Sequence, residues 1–305
     1  MAHVFDLPAG LPVEKQRFLA DLVFDLCSVP GVVAVVLGGS HAAGNFEASS
    51  DLDIGLYYQE HTPFAVADIA LLAHRISTRG APTVTDFYAW GPWVNGGAWL
   101  HTDVGKVDFL YRNLDQVERT IAEAWQGVVR HDYDQQPTFG FYNVIYLAET
   151  DVCVPLYDPE RHIERLKHLV NTYPPKLREQ VIAEALWSAE FTLLFARDYA
   201  VRADVYNAAG CLTRVVANLT QALFATNEKY FLSDKRVMKT IGAFAQLPSR
   251  YVERVTAALA HVGATTEELA LTVAGIESVW QDVVALAGAI YQPRFCLDPG
   301  DKSGA

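Results

Sequence analysis

Apolar residues, Phe18, Leu22, Phe24 and Leu26 among them, recur at helical spacing over residues 13–28, and Pro30-Gly31 closes the segment. Residues 31–37 then read Gly-Val-Val-Ala-Val-Val-Leu, a continuous β-branched run that predicts a buried strand. Residues 38–50 are small and polar, which predicts a loop, and residues 52–58 predict a second strand. Residues 64–78 carry helical periodicity, 83–89 are β-rich, 106–111 form another strand pattern and 114–128 a helical one. Helix and strand thus alternate around a small sheet. The expected fold for residues 1–150 is α/β, a small mixed sheet with flanking helices.

The pattern changes after Asp151. Residues 159–170, 175–201, 204–226, 234–243, 248–261 and 265–290 all repeat apolar positions with helical spacing, and no strand signal interrupts them. An all-α helical bundle is expected over residues 151–295, joined to the first domain near residues 152–158. Residues 296–305 are rich in Gly, Asp and Ser and predict a flexible tail. There is no internal repeat.

Composition narrows the function. The chain has 305 residues, enough for two domains, and 51% are apolar, enough for buried cores. The formal net charge of -12 repels phosphate backbones, so nucleic acid is disfavoured as a partner. One nucleotide is still admissible, because a metal inverts the local field. A cationic small substrate suits that charge; simple solubility explains it as well. Cys27, Cys153, Cys211 and Cys296 form no CxxC, as expected of reduced, buried thiols. The N-terminus shows no basic region followed by an apolar run, and apolar stretches break before ~18 residues. A cytoplasmic protein without a membrane span is expected. The oligomeric state is open.

The candidate chemistry begins at Gly38-Gly39-Ser40, directly after the first strand. Glycine lets backbone approach a ligand closely, and backbone N–H groups in such a turn form an anion-binding concavity. Ser40 adds a hydroxyl. Ten residues on, Asp51-Leu52-Asp53 opens the second strand. Residues i and i+2 share one face of a strand, roughly 7 Å apart. Two carboxylates flanked by Leu52, Ile54 and Leu56 need a cation between them, and a hard divalent ion such as Mg²⁺ accepts oxygen ligands and bridges to phosphate. Asp108, within Val107-Asp108-Phe109-Leu110, is the preferred third carboxylate; Asp86 is the rival. Three carboxylates can hold two metals for in-line displacement at phosphorus, or the third can act as base.

Gly39-Ser40, Asp51-Leu52-Asp53 and downstream Asp108 resemble the DNA polymerase β-like nucleotidyltransferase superfamily over about residues 31–111. A nucleotidyltransferase core followed by a helical bundle resembles the aminoglycoside adenylyltransferases. The resemblance implies that Gly39 and Ser40 hold the triphosphate of ATP and that Asp51 and Asp53 bind Mg²⁺. It implies that Asp108 joins the metals or acts as base. His41 departs from the small residue frequent after the serine and reads as a loop residue. Leu212-Thr213-Arg214, Asn227-Glu228-Lys229, Ser233-Asp234-Lys235 and Leu247-Pro248 are similar to segments of the streptomycin/spectinomycin adenylyltransferases. There a lysine reaches the nucleotide phosphates, which here implies Lys229 or Lys235.

Other features are less specific. The loop from Trp90 to Trp99 holds three tryptophans and reads as mobile, able to stack on a base or an acceptor or to wedge between domains. Glu184 and Glu190 share a helix and read first as a solvated face. His101, His131, His162 and His168 lack metal-ligand spacing. The expected function is transfer of a nucleoside monophosphate, AMP from ATP, to a small hydroxyl-bearing, aminoglycoside-like acceptor. Adenylylation of a protein partner and a nucleotide-binding regulatory role are the alternatives.

Overall fold

The computed structural model describes residues 10–44 and 50–295. These fall into two compact units. The first runs to Glu123 and resumes over Arg130–Thr172; the second comprises Ala124–Val129 and the chain from Tyr173. The expected tail, residues 296–305, lies outside the described residues.

The first unit begins with α1 (Val13–Leu26), β1 (Ala34–Leu37), a one-turn helix α2 (Gly39–Ala42) and β2 (Leu52–Tyr58). It continues with α3 (Val66–Ile76), β3 (Thr83–Val84), β4 (Gly97–Thr102), β5 (Gly105–Asn113) and α4 (Leu114–Trp125). A hairpin of β6 (His131–Asp132) and β7 (Phe141–Tyr142) leads to α5 (Val144–Val152), β8 (Val154–Tyr157) and α6 (His162–Val170). The sheet is mixed, in the order β3-β4-β5-β2-β1-β8, and only β2 and β5 run parallel. The expected absence of strands after Asp151 is corrected by β8. Its Pro155 removes a ladder donor, which is tolerable because β8 is an edge strand, and its pairing with β1 shifts register beside that proline. The expected β segment over 83–89 shrinks to Thr83–Val84, and β4 grows out of the glycines that end the tryptophan loop.

Strand alternation sorts the sheet's two faces. Leu52, Ile54, Leu56, Val107, Phe109, Tyr111, Ala98 and Leu100 face one core, closed by Leu19, Leu22, Val23 and Leu26 of α1 and by Ile69, Leu72 and Ala73 of α3. Tyr58, Phe64, Phe87 and Tyr111 pack as an aromatic cluster in it, with ring centroids 4.5–5.6 Å apart. The alternate residues, Asp53, Asp108 and Trp99 among them, take the other face. At one end of that face, buried Arg112 on β5 forms a bidentate pair with Glu149 on α5 at 2.8 and 2.7 Å.

The second unit is helical: α7 (Pro175–Val201), α8 (Val205–Thr226), α9 (Val237–Ile241), α10 (Tyr251–Ala260) and α11 (Thr266–Ala287). Pro175 starts α7, Asp204 caps α8 by accepting from the Asn207 N–H at 3.1 Å, and Thr265 with Glu268 forms a capping box for α11. By length and composition, Thr266–Ile290 is the one helix among the described residues that is apolar enough to cross a membrane, a candidate the sequence expectation did not contain. It buries Leu269, Val273, Ile276, Val279, Trp280 and Val283, and the Trp280 indole donates to Leu186 O on α7 at 3.3 Å, as in a bundle core.

Glu190 corrects another expectation. It is not on a solvated face but wholly buried on α7, accepting from the Tyr291 hydroxyl and from the N–H groups of Arg294 (3.0 Å) and Phe295 (2.8 Å). Glu184 is exposed and accepts from Gln180. Among the described residues Cys153 is buried, while Cys27 and Cys211 are only half-buried; Cys296 lies outside them.

Candidate active site

The parallel ladder between β2 and β5 sets Asp53 directly opposite Asp108. Neighbouring strands lie ~5 Å apart, so these two half-buried carboxylates stand side by side on one face. Asp51 is half-buried, immediately before β2, and one further step down the same ladder would set it beside exposed Lys106. Asp86, the rival third acid, is exposed in the turn after β3. Its charge bears on Tyr111, whose hydroxyl burial and then Asp86 push upward, and Tyr111 belongs to the opposite, core face. Asp108 and not Asp86 therefore shares a face with Asp53.

The glycine-serine turn is built against the same acid. Gly38 N–H donates to Asp53 O at 2.8 Å, which extends the β1–β2 pairing by one step. Gly39 follows with φ +58, in the left-handed region, and a Cβ there would fall 1.8 Å from Asp53 Oδ2. Only glycine fits. The turn continues into α2, where Ala42 and Ala43 bond back to Gly38 O and Gly39 O. The first N–H groups of a helical turn have no partner within it, and here they belong to Gly39 and half-buried Ser40.

Asp51, Asp53 and Asp108 are all hard oxygen donors, the set a magnesium ion takes. The tight seat of Asp53 against Gly39 and its pairing with Asp108 fit that use. The structure does not, however, converge the three into one cluster: among the described residues no group of three His, Cys, Asp or Glu side chains is placed to hold a metal.

Lys15 carries no mark in the sequence, and His41 reads there only as a loop residue. Lys15, in the first turn of α1, is only 7% exposed; its ammonium donates to Ser50 O at 2.8 Å and lies 3.4 Å from His41 Nε2. Burial holds its pKa below the ordinary value, and the charge of Asp51 opposes that shift. His41, expected as a loop residue, is buried, with Nε2 3.2 Å from Ser50 O. Burial lowers its pKa too, the Ser50 carbonyl raises it in part, and Lys15 adds to the lowering. These two side chains hold the residue before Asp51 to the turn after β1. The signal available in sequence was slight, a lysine at the start of an amphipathic helix.

Comparisons with known proteins give little beyond this. Residues 145–235 match the model of a domain of unknown function, DUF4037. That segment runs from α5 to Lys235 and leaves the Gly39–Asp108 region outside it. A solved structure of a nucleotidyltransferase-like protein from Exiguobacterium sibiricum 255-15 is similar at 9% identity and a TM-score of 0.45, over 92% of this chain and 78% of that one. Curated proteins give no match.

Lys229 and Lys235 lie in the second unit, both exposed. Lys229 closes the end of α8, its N–H bonding to Phe224 O at 2.9 Å, and Lys235 sits in the turn before α9. The tryptophan loop is not the loose segment expected. Asn95 in it is fully buried, donating to Pro92 O at 3.1 Å and accepting from the Asn113 N–H at 3.3 Å. Trp93 packs on Phe141 and Tyr146 inside the first unit, while Trp90 stacks on Trp99.

Proposed function

We propose that this chain is a nucleotidyltransferase that moves a nucleoside monophosphate, AMP from ATP, to a hydroxyl of a small acceptor of aminoglycoside-like chemistry. The observation that carries the reading is the pairing of Asp53 with Asp108 on adjacent parallel strands, with Gly39 fitted against Asp53. Two carboxylates set side by side beside an anion-binding turn favour a metal–triphosphate over a structural ion pair.

In this reading the backbone of Gly39 and Ser40 holds the β- and γ-phosphates. Asp51, Asp53 and Asp108 would hold magnesium, which supplies charge neutralisation at the triphosphate and a lower pKa for the acceptor hydroxyl. Asp108 takes the hydroxyl proton. The acceptor oxygen forms a bond to the α-phosphorus, and the bond to the bridging oxygen breaks with its electron pair leaving on pyrophosphate. Lys15 and His41, through Ser50, fix the backbone that delivers Asp51. A reduced, cytoplasmic setting belongs to the same reading.

The test is direct. The protein is incubated with α-labelled ATP, magnesium and a panel of aminoglycosides, beside a variant carrying Asp51→Ala and Asp53→Ala. Label should appear on a small acceptor with the native protein only. Absence of both MgATP binding and transfer overturns the proposal. Label appearing only on protein redirects it to a macromolecular acceptor.

A further inference from the structure

The row of the sheet that holds the carboxylates extends past them. Asp53 on β2 faces Asp108 on β5, Asp108 faces Trp99 on β4, and Trp99 faces Thr83 on β3. Residues in register across strands share a face, so an indole lies directly beside the third carboxylate. Trp99 is 44% exposed in spite of its size. Trp90 stacks on it, with ring centroids 4.1 Å apart and planes 27° from parallel. Gly97 lies beneath the pair: a Cβ there would fall 1.8 Å from Phe109 O and 3.1 Å from the Trp90 ring. The loop that carries Trp90 is held by the buried Asn95, whose O accepts from the Trp90 N–H at 3.2 Å. The shelf is thus seated in the fold.

Its position has a chemical meaning. Gly38 and Gly39 flank Asp53 on the side away from Asp108. Across the face the order is phosphate turn, Asp53, Asp108, Trp99. Displacement at phosphorus runs in line, with the attacking oxygen opposite the leaving one. If pyrophosphate departs over the turn, the acceptor enters over Asp108, which is where the indoles are. The row Thr83, Trp99, Asp108, Asp53 contains carboxylates and an indole and no basic residue; His101 and Lys106 lie in the next row. An indole face attracts cations and the C–H faces of saturated rings.

We infer that the stacked Trp90–Trp99 pair is the acceptor shelf of this site, and that it takes a hydroxyl-bearing ring carrying a protonated amine. The inference rests on the nucleotidyltransferase reading above, and its test separates the two. With magnesium and α,β-methylene-ATP present to block turnover, the native protein is titrated with 2-deoxystreptamine and, separately, with neutral myo-inositol, following tryptophan fluorescence. Binding of the nucleotide analogue is measured in parallel by calorimetry. The charged ring should give saturable quenching, the neutral ring should bind about fivefold more weakly, Trp99→Leu should weaken the charged ring about tenfold, and Trp99→Phe should restore part of it. Nucleotide binding should be the same in all three proteins. Loss of nucleotide binding in Trp99→Leu with the ring response intact overturns the shelf and assigns the indoles to the base. Equal binding of both rings overturns the requirement for a cation. No saturable response to either ring overturns the shelf while the native protein's nucleotide binding still upholds the enzyme reading.

Discussion

Two ends of one sheet face show opposite treatments of charge. At the Arg112 end, a guanidinium 4% exposed meets the Glu149 carboxylate through two hydrogen bonds, with Tyr57 and Tyr146 around it. Two turns of pleat away on the same strand, Asp108 meets Asp53, carboxylate beside carboxylate, both half-buried. The first arrangement satisfies the fold. The second sets like charges opposite one another across strands, where they repel. In the proposed function the second pair is the one that meets a cation. Burial follows the division in part: the Arg112 guanidinium is buried while its partner Glu149 is half-buried on α5, and the half-buried acid pair borders an exposed indole.

The sharpest way to break this comparison is Asp53→Asn. If the acid pair serves chemistry, transfer of labelled AMP falls by roughly 10³-fold, the scale of losing one group that stabilises charge in the transition state. The thermal midpoint should hold steady or rise, because the substitution removes repulsion with Asp108. A fall in the midpoint with unchanged transfer reverses the assignment. Gly39→Ala comes next. Its Cβ would overlap Asp53 Oδ2, and its φ would be strained, so Asp53 must shift. Misplacement of about 1 Å at a reacting centre costs about 10²-fold in rate. That loss should appear in kcat with nucleotide binding weakened as well; an Ala variant with native kinetics means the turn is only a turn. Glu149→Ala probes the other end. It strands a buried guanidinium, so unfolding in urea should show a loss of about 3 kcal/mol. The transfer rate per folded molecule should not change, and a kinetic defect at full stability would move Glu149 out of the fold and into the site.

How far sequence alone reached varied for physical reasons. Strand β2 was legible because Leu52–Tyr58 is an apolar run interrupted by a single acid, and that interruption also marked Asp53. Helix α7 was legible because Pro175 fixes its first turn. Asp108 stood out as a charge inside an apolar strand, but its place beside Asp53 is a parallel, long-range pairing that no local pattern encodes. Strand β8 was missed because Val-Pro-Leu-Tyr is short and contains proline, and only its edge position makes that tolerable. Glu190 was misread because α7 carries apolar residues around much of its circumference, so spacing did not say which face was wet. The tryptophan loop looked loose from its glycines; the buried side chain of Asn95 that anchors it leaves no trace in periodicity.

Lys15 gives the smallest effect, and it concerns the boundary between the two kinds of charge. Its ammonium is buried and bonded to Ser50 O, the residue before Asp51, and burial depresses its pKa below 10.5. In the window just under 10.5 the unfolded chain therefore binds this proton more readily than the folded one. Stability contributed by this group must then rise with pH through that window, because the unfolded state gives up the extra proton. Lys15→Met removes the titration. Urea midpoints of the two proteins, measured at steps from neutral pH toward 10.5, should converge with rising pH, the variant's relative advantage being greatest at the lower end. If the midpoints instead diverge as pH rises, the charged ammonium is favoured in the fold, and Lys15 belongs with Arg112 as a satisfied partner and not with the acids it helps to position.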